Sequence, residues 1–300
     1  MSNYNHIHPD ILDTMELNSN ERIEFLYSPF WIGYPKSLEI IKYLNSLINR
    51  PKKPRMDNLL IVGESNIGKT TLITYFSELH PDSSFEDDDE VTRPRKPVIV
   101  AEAPASADER GLYSAILDSF WTSYRATDTV AKLRHQVIHL MRKCHVQILI
   151  LDEMHNLLAG TPSKQRLVMN SIKSMGNILN IPIVGVGTID AYKVISFDPQ
   201  LVSRFDVIKL EKWLPNSSFQ RLLSSFEQRL PLKNKSDLHT KELGKKLYEI
   251  SDGNLGDLHK LLIECSKEAI LTGTEKITID IIDKYKWYKP TKGKMKTCEL

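Results

Sequence analysis

Apolar residues follow two rhythms along this chain. Through its first two thirds, short continuous apolar runs alternate with helical periodicity. The runs lie at residues 59–62, 98–101, 146–151 and 181–186, with a further candidate at 207–210. Each reads as a buried strand. The first leads into a glycine-bearing loop, the third ends in Asp152-Glu153, and the fourth ends in Gly187-Thr188. Between them, Leu38, Ile41, Leu44 and Ile48 recur at helical spacing until Asn49-Arg50-Pro51 ends the pattern. Residues 112–121 and 129–143 read as further helices. Strand runs alternating with helices predict a parallel sheet covered on both faces, an α/β fold. From Trp213 the rhythm is helical only, at 219–230, 240–251, 256–273 and 279–288.

This pattern divides the chain into four expected parts. Residues 1–30 are polar and read as an arm or short helices, residues 31–212 as the α/β domain, residues 213–288 as a small helical domain, and residues 289–300 as a tail with four lysines. A basic, proline-containing linker spans residues 50–56. An acidic run at 86–90, followed by Arg93, Pro94, Arg95 and Lys96, reads as an exposed loop.

Composition changes this picture little. The 300 residues are 41% hydrophobic and 26% charged, ordinary for a chain with a real core. A net charge of +2 means that any basic surface must be local. Cys144, Cys265 and Cys298 are odd in number and widely spaced, which supports neither a disulfide framework nor a metal site and fits a reducing cytoplasm. No apolar stretch has the length of a membrane span, and the polar N-terminus does not resemble a signal peptide. Trp121 and its aromatic neighbours read as core. His155 reads as packing or hydrogen-bonding beside the acids at 152 and 153.

The strongest chemical signal is Gly63-Glu64-Ser65-Asn66-Ile67-Gly68-Lys69-Thr70, which matches G-x-x-x-x-G-K-[ST] at every fixed position. Glycines let the backbone curl so that successive N–H groups face an anion. Lys69 is expected to reach the β and γ phosphates of ATP, Thr70 to offer its hydroxyl to Mg²⁺, and the helix carrying Thr71 to present its positive end. The match follows a strand run and precedes a helix, the context that this chemistry needs. Residues 63–71 are therefore the expected nucleotide site.

Asp152, at the end of a buried run, is expected to join the Mg²⁺ coordination sphere. Glu153 is expected to orient and activate the attacking water. The competing reading makes this pair an acidic cap on the next helix.

At this point the pattern resembles the AAA+ P-loop ATPases: a parallel sheet flanked by helices plus a small C-terminal helical lid. The resemblance implies a γ-phosphate sensor at Thr188, after Val184-Gly185-Val186-Gly187. It also implies an arginine finger at Arg204, within Ser203-Arg204-Phe205, acting on a neighbouring subunit. An ordinary strand-to-turn threonine and a surface arginine are the competing readings. One departure is evident. Where many AAA+ proteins carry a lid arginine, this sequence has Gly253-Asn254-Leu255-Gly256-Asp257-Leu258, with Asp257 or a neighbour in the place of the arginine. Ile32, Gly33 and Tyr34 are expected to contribute to an adenine pocket.

Across roughly residues 20–285, the ordered set resembles the TniB/TnsC transposition ATPases. The set comprises Gly33-Tyr34-Pro35, the basic linker, the phosphate loop, Asp152-Glu153-Met154-His155-Asn156, Gly187-Thr188 and Ser251-Asp252-Gly253-Asn254-Leu255-Gly256. That resemblance implies an ATP-dependent homo-oligomer, ring or filament, on double-stranded DNA, linking a target-selector protein to a DDE-type transposase. Arg110, Arg125 and Thr127 are the candidate DNA-backbone contacts, with a solvated charged face as the competing reading. A nucleotide-switched scaffold acting only on proteins and a helicase-loader-like remodeller are the alternative functions.

Overall fold

The computed structural model of the chain describes residues 4–86, 91–196, 199–285 and 291. Most of the acidic run, the end of the last expected helix and nearly all of the tail, with Cys298, lie outside the described residues. The chain opens with a 3-10 helix, Pro9–Glu16, and α1 (Ser19–Leu26). Next come α2 (Pro35–Ile48), β1 (Asn58–Gly63), α3 (Lys69–Glu78), β2 (Ser83–Glu86), β3 (Thr92–Arg95) and β4 (Val98–Glu102). Then follow α4 (Glu109–Ser119), α5 (Val130–Lys143), β5 (Ile148–Asp152), a 3-10 helix Met154–Leu158, α6 (Pro162–Leu179) and β6 (Ile183–Gly187). α7 (Ala191–Ser196), α8 (Pro199–Val202) and β7 (Phe205–Leu210) lead to four final helices: α9 (Ser217–Glu227), α10 (Lys241–Ser251), α11 (Leu255–Leu271) and α12 (Ile279–Lys284).

Two compact units result. One comprises Pro35–Glu64 and Lys69–Leu210. Its five-stranded sheet runs β4-β5-β6-β1-β7, and every neighbouring pair is parallel. The central strands are continuous apolar runs because both faces are covered. Leu59, Leu60 and Ile61 are fully buried, each stabilising the fold by about 2 kcal/mol. From β1 the chain crosses to β4 at the far edge and later returns on both sides of β1. Such a switch in strand order opens a crevice at the carboxyl ends of the strands.

Several expectations need correction. The buried stripe of α2 is Ser37, Ile40, Ile41, Leu44 and Leu47, whereas Leu38 is exposed. The expected loop around the basic run is instead an antiparallel pair, β2 with β3, in register from Ser83↔Arg95 to Glu86↔Thr92. A helix not foreseen, α6, fills the span after the Asp152 strand. Trp121, expected in the core, is 92% exposed: it follows the end of α4 with φ +53, which turns it away while Phe120 stays buried.

The second unit comprises Met1–Tyr34, Ser65–Gly68 and Glu211–Leu300. Its core gathers Leu26, Phe219, Leu222, Leu223, Leu258, Leu261 and their neighbours, with Phe30, Ile32 and Trp213 packed against them. The fully buried Arg22 of α1 donates to Glu275 at 2.5 and 2.8 Å and to the Pro231 carbonyl at 3.0 Å. Buried Glu227 accepts the backbone N–H groups of Ser236 and Asp237 at 2.6 and 2.7 Å, capping the turn before α10.

Candidate functional site

The carboxyl ends of β1, β5 and β6 bring the expected chemistry together. β1 ends at Gly63, and α3 begins at Lys69. Lys69 is 7% exposed, and its Nζ donates to the carbonyls of Gly63 at 3.0 Å and Glu64 at 2.7 Å. Burial pushes its pKa down, while the charges of Glu153 and Asp152 oppose that shift. A lysine so held stays close to the loop backbone, where an anion bound to that loop would meet it.

Thr70 Oγ1 donates to Asp152 Oδ2 at 2.9 Å. The other oxygen of Asp152 accepts the Glu153 N–H at 2.8 Å. That bond accompanies a left-handed backbone at Glu153, φ +52, a conformation that costs a non-glycine residue about 1–2 kcal/mol. The next residue, Met154, packs so close to β6 that a Cβ on Gly185 would lie 2.3 Å from its sulfur. Glycine at that position is therefore what lets the turn after Asp152 close onto the sheet. His155 Nδ1 stands 3.1 Å from Glu153 Oε2, so the expected neighbour of the acids is in place.

Thr188 directly follows β6. The register pairs Val62 with Gly187, so Thr188 and Gly63 leave adjacent strands side by side. The hydroxyl of Thr70 and the carboxylate of Asp152 are hard oxygen donors of the type Mg²⁺ takes alongside phosphate oxygens. Among the described residues, no three His, Cys, Asp or Glu side chains gather as a metal cluster.

Arg204 is not among these residues. It precedes β7, its carbonyl accepts the Asn58 N–H at the start of β1, and its guanidinium donates to Asn177 at 3.3 Å. It thus lies at the amino end of the sheet, about 17 Å of strand from Gly63.

The candidate DNA contacts also separate. Arg110 sits in the first turn of α4, not in a loop, and its guanidinium donates to the carbonyls of Arg125, Ala126 and Asp128. It braces the loop that carries Arg125 and Thr127, both exposed. Tyr34 meets the Trp213 ring edge to face at 5.1 Å, and burial pushes its hydroxyl up to about 12.

Sequence reasoning missed what holds the loop tip. Ser65 and Asn66 are hydrogen-bonded to Asn254, Gly256 and Asp257 at the start of α11. Only the ill-fitting Asp257 signalled that this stretch differs from the AAA+ pattern.

The model of the family described as "Bacterial TniB protein" matches residues 22–215, more than half of the chain. The chain belongs to the TniB family. No protein of curated function matches this TniB chain in sequence. Solved structures resemble it in fold. Cdc6p of Pyrobaculum aerophilum has a TM-score of 0.62 at 16% identity, covering 88% of the TniB chain and 70% of its own. The ORC2 protein of Aeropyrum pernix, in ADPNP–ADP complexes, has a TM-score of 0.58 at 16% identity, with coverages of 86% and 69%. The ORC1 protein of the same organism, in complex with DNA, has a TM-score of 0.52 at 12% identity, with coverages of 87% and 68%. The fold is that of the AAA+ P-loop proteins.

Proposed function

We propose that the chain is an ATPase that assembles head to tail on double-stranded DNA and couples target choice to a DDE-type transposase. The observation that carries this reading is the convergence of Lys69, Thr70, Asp152, Glu153 and Thr188 at one end of the sheet, with Arg204 at the other. Lys69 and the loop N–H groups hold the β and γ phosphates. Thr70 and Asp152 hold Mg²⁺, which supplies charge neutralisation of the phosphates when bound. Glu153 accepts the proton of the attacking water, with His155 beside its carboxylate. Thr188 donates a hydrogen bond to the γ-phosphate or to that water.

Arg204 lies too far from its own phosphate loop to stabilise the charge that develops there. It serves the site of the next subunit, which makes hydrolysis depend on assembly. Arg125 and Thr127, on a loop held by Arg110, contact phosphates of the duplex. A target-selector protein and the transposase then read the assembled state.

Electron microscopy of the full chain with duplex DNA, with and without a non-hydrolysable ATP analogue, tests this. Rings or filaments on DNA that require the analogue are expected. Particles that bind analogue yet ignore DNA would replace the reading with a nucleotide switch acting on proteins.

A further inference from the structure

The phosphate-loop tip is tied down at three points, and every partner lies in the same compact unit. Asn66 Nδ2 donates to Asp257 Oδ1 at 2.7 Å. Asn254 Nδ2 donates to the Ser65 carbonyl at 3.0 Å. The Gly256 N–H donates to the Asn66 carbonyl at 2.9 Å. Asn66 itself is left-handed, φ +62, and a Cβ on Gly256 would lie 2.2 Å from its Oδ1. Asp257 is 3% exposed, and its second oxygen accepts from Thr291 Oγ1 at 2.5 Å.

Peptide geometry gives these bonds a consequence. In a trans peptide the C=O and the following N–H point to opposite sides. With the carbonyls of Ser65 and Asn66 drawn toward α11, the N–H groups of Asn66 and Ile67 are turned away from it. Successive N–H groups on one side of such a loop are what an anion binds. A carboxylate is itself a poor neighbour for phosphate, because like charges repel. As the acceptor for the Asn66 amide, however, it is well matched.

We propose that Asp257 is a positioning residue for the nucleotide phosphates. It acts through Asn66, holding the loop tip with its N–H groups aimed at the anion, and never touches the ligand. The inference rests on the proposed ATP site. It accounts for an acid where many AAA+ proteins have an arginine: the helix sets the shape of the loop here and does not reach for the γ-phosphate.

The test uses the full chain, titrated with a fluorescent ATP analogue and assayed for steady-state ATP turnover. Asp257→Ala and Asn66→Gly are each expected to weaken nucleotide binding and raise KM about tenfold, with kcat at saturating ATP changed less than about threefold. Asp257→Asn keeps the acceptor and is expected to bind within about twofold of the parent. Asn66→Gly tolerates the left-handed backbone while removing the amide, so it carries the test if Asp257→Ala does not fold. Parent-like affinity in Asp257→Ala and Asn66→Gly, with binding still lost in Lys69→Ala, would overturn the positioning role and leave the site standing. A fall in kcat at unchanged KM would also overturn it. A parent that does not bind the analogue, or a Lys69→Ala variant that binds equally well, would remove the site and the inference together.

Discussion

Thr70 Oγ1 and Asp152 Oδ2 lie 2.9 Å apart although 82 positions separate them in sequence, and β1, which leads into the helix of Thr70, is not a neighbour of β5, which ends in Asp152. The hydroxyl and the carboxylate meet across the end of β6, with Glu153 held in a left-handed turn by the same carboxylate. Glu153→Gln keeps the shape of that turn and removes the proton acceptor. It is expected to lower ATP turnover by about 100-fold or more, with analogue affinity within about threefold of the parent. Phosphate release and analogue titration measure the two quantities. Turnover at the parent rate would exclude Glu153 as the base.

Arg204 offers a test of a different kind, because its defect is expected to be repaired by a neighbour. Arg204→Ala alone and Glu153→Gln alone are each expected to hydrolyse little ATP. Mixed in equal amounts with DNA, they form some joints that pair an intact Glu153 site with an intact Arg204. Activity above the sum of the separate samples is the expected result. A mixture no more active than its parts would mean that Arg204 does not act between subunits.

Arg125 is predicted to contribute through charge alone. Removing one phosphate contact lowers the slope of log K against log salt by about one. Arg125→Ala is therefore expected to weaken duplex binding uniformly across DNA sequences and to flatten its salt dependence. Arg110→Ala is expected to do the same indirectly, by releasing the carbonyls of residues 125, 126 and 128. An unchanged salt slope in Arg125→Ala would remove this loop from the DNA surface.

The Arg22–Glu275 pair makes a prediction about pH. Burial by itself raises the Glu275 carboxyl, but the Arg22 guanidinium and the Lys233 N–H outweigh burial and hold it below its ordinary value. A carboxyl depressed in the folded state stabilises the fold above its unfolded pKa. That contribution fades as pH falls below about 4.3 and is gone below the folded pKa. Arg22→Met leaves the half-buried Glu275 without its cation and is expected to cost about 3 kcal/mol near neutral pH. It is also expected to reduce the loss of stability between about pH 5 and the acid limit. Denaturant unfolding at stepped pH measures both effects, and parallel acid limbs in parent and variant would refute the linkage.

Much of the site was legible because its residues are either contiguous or mark the ends of apolar runs. The phosphate loop is a single stretch, Asp152 ends a strand that reads clearly as buried, and Glu153 and Thr188 each directly follow such a strand. α6 was not legible because its buried face includes Gln165 and Ser171 among Val168, Met169, Ile172 and Met175, which dilutes the apolar period. The β2–β3 pair was hidden for the opposite reason: it contributes almost nothing to the core, so its residues show no alternation. Trp121 was misplaced because composition assigns a tryptophan to the core, whereas one left-handed residue suffices to turn it into solvent. The bond from Asn66 to Asp257 spans 191 positions, and no local pattern announces it.

The separation of Arg204 from its own phosphate loop along the sheet has a consequence for counting. Copies joined finger to site repeat the same unlike pair of surfaces at each joint, so an open row ends in a lone finger on one side and an unserved site on the other. Such a row has one fewer complete site than it has copies, and a row of one has none. A closed ring has as many sites as members. Turnover per copy in an open row would then rise with length toward a plateau and report how long the row is. The end site, able to hold nucleotide but slow to consume it, would keep its nucleotide longest and so mark one terminus chemically.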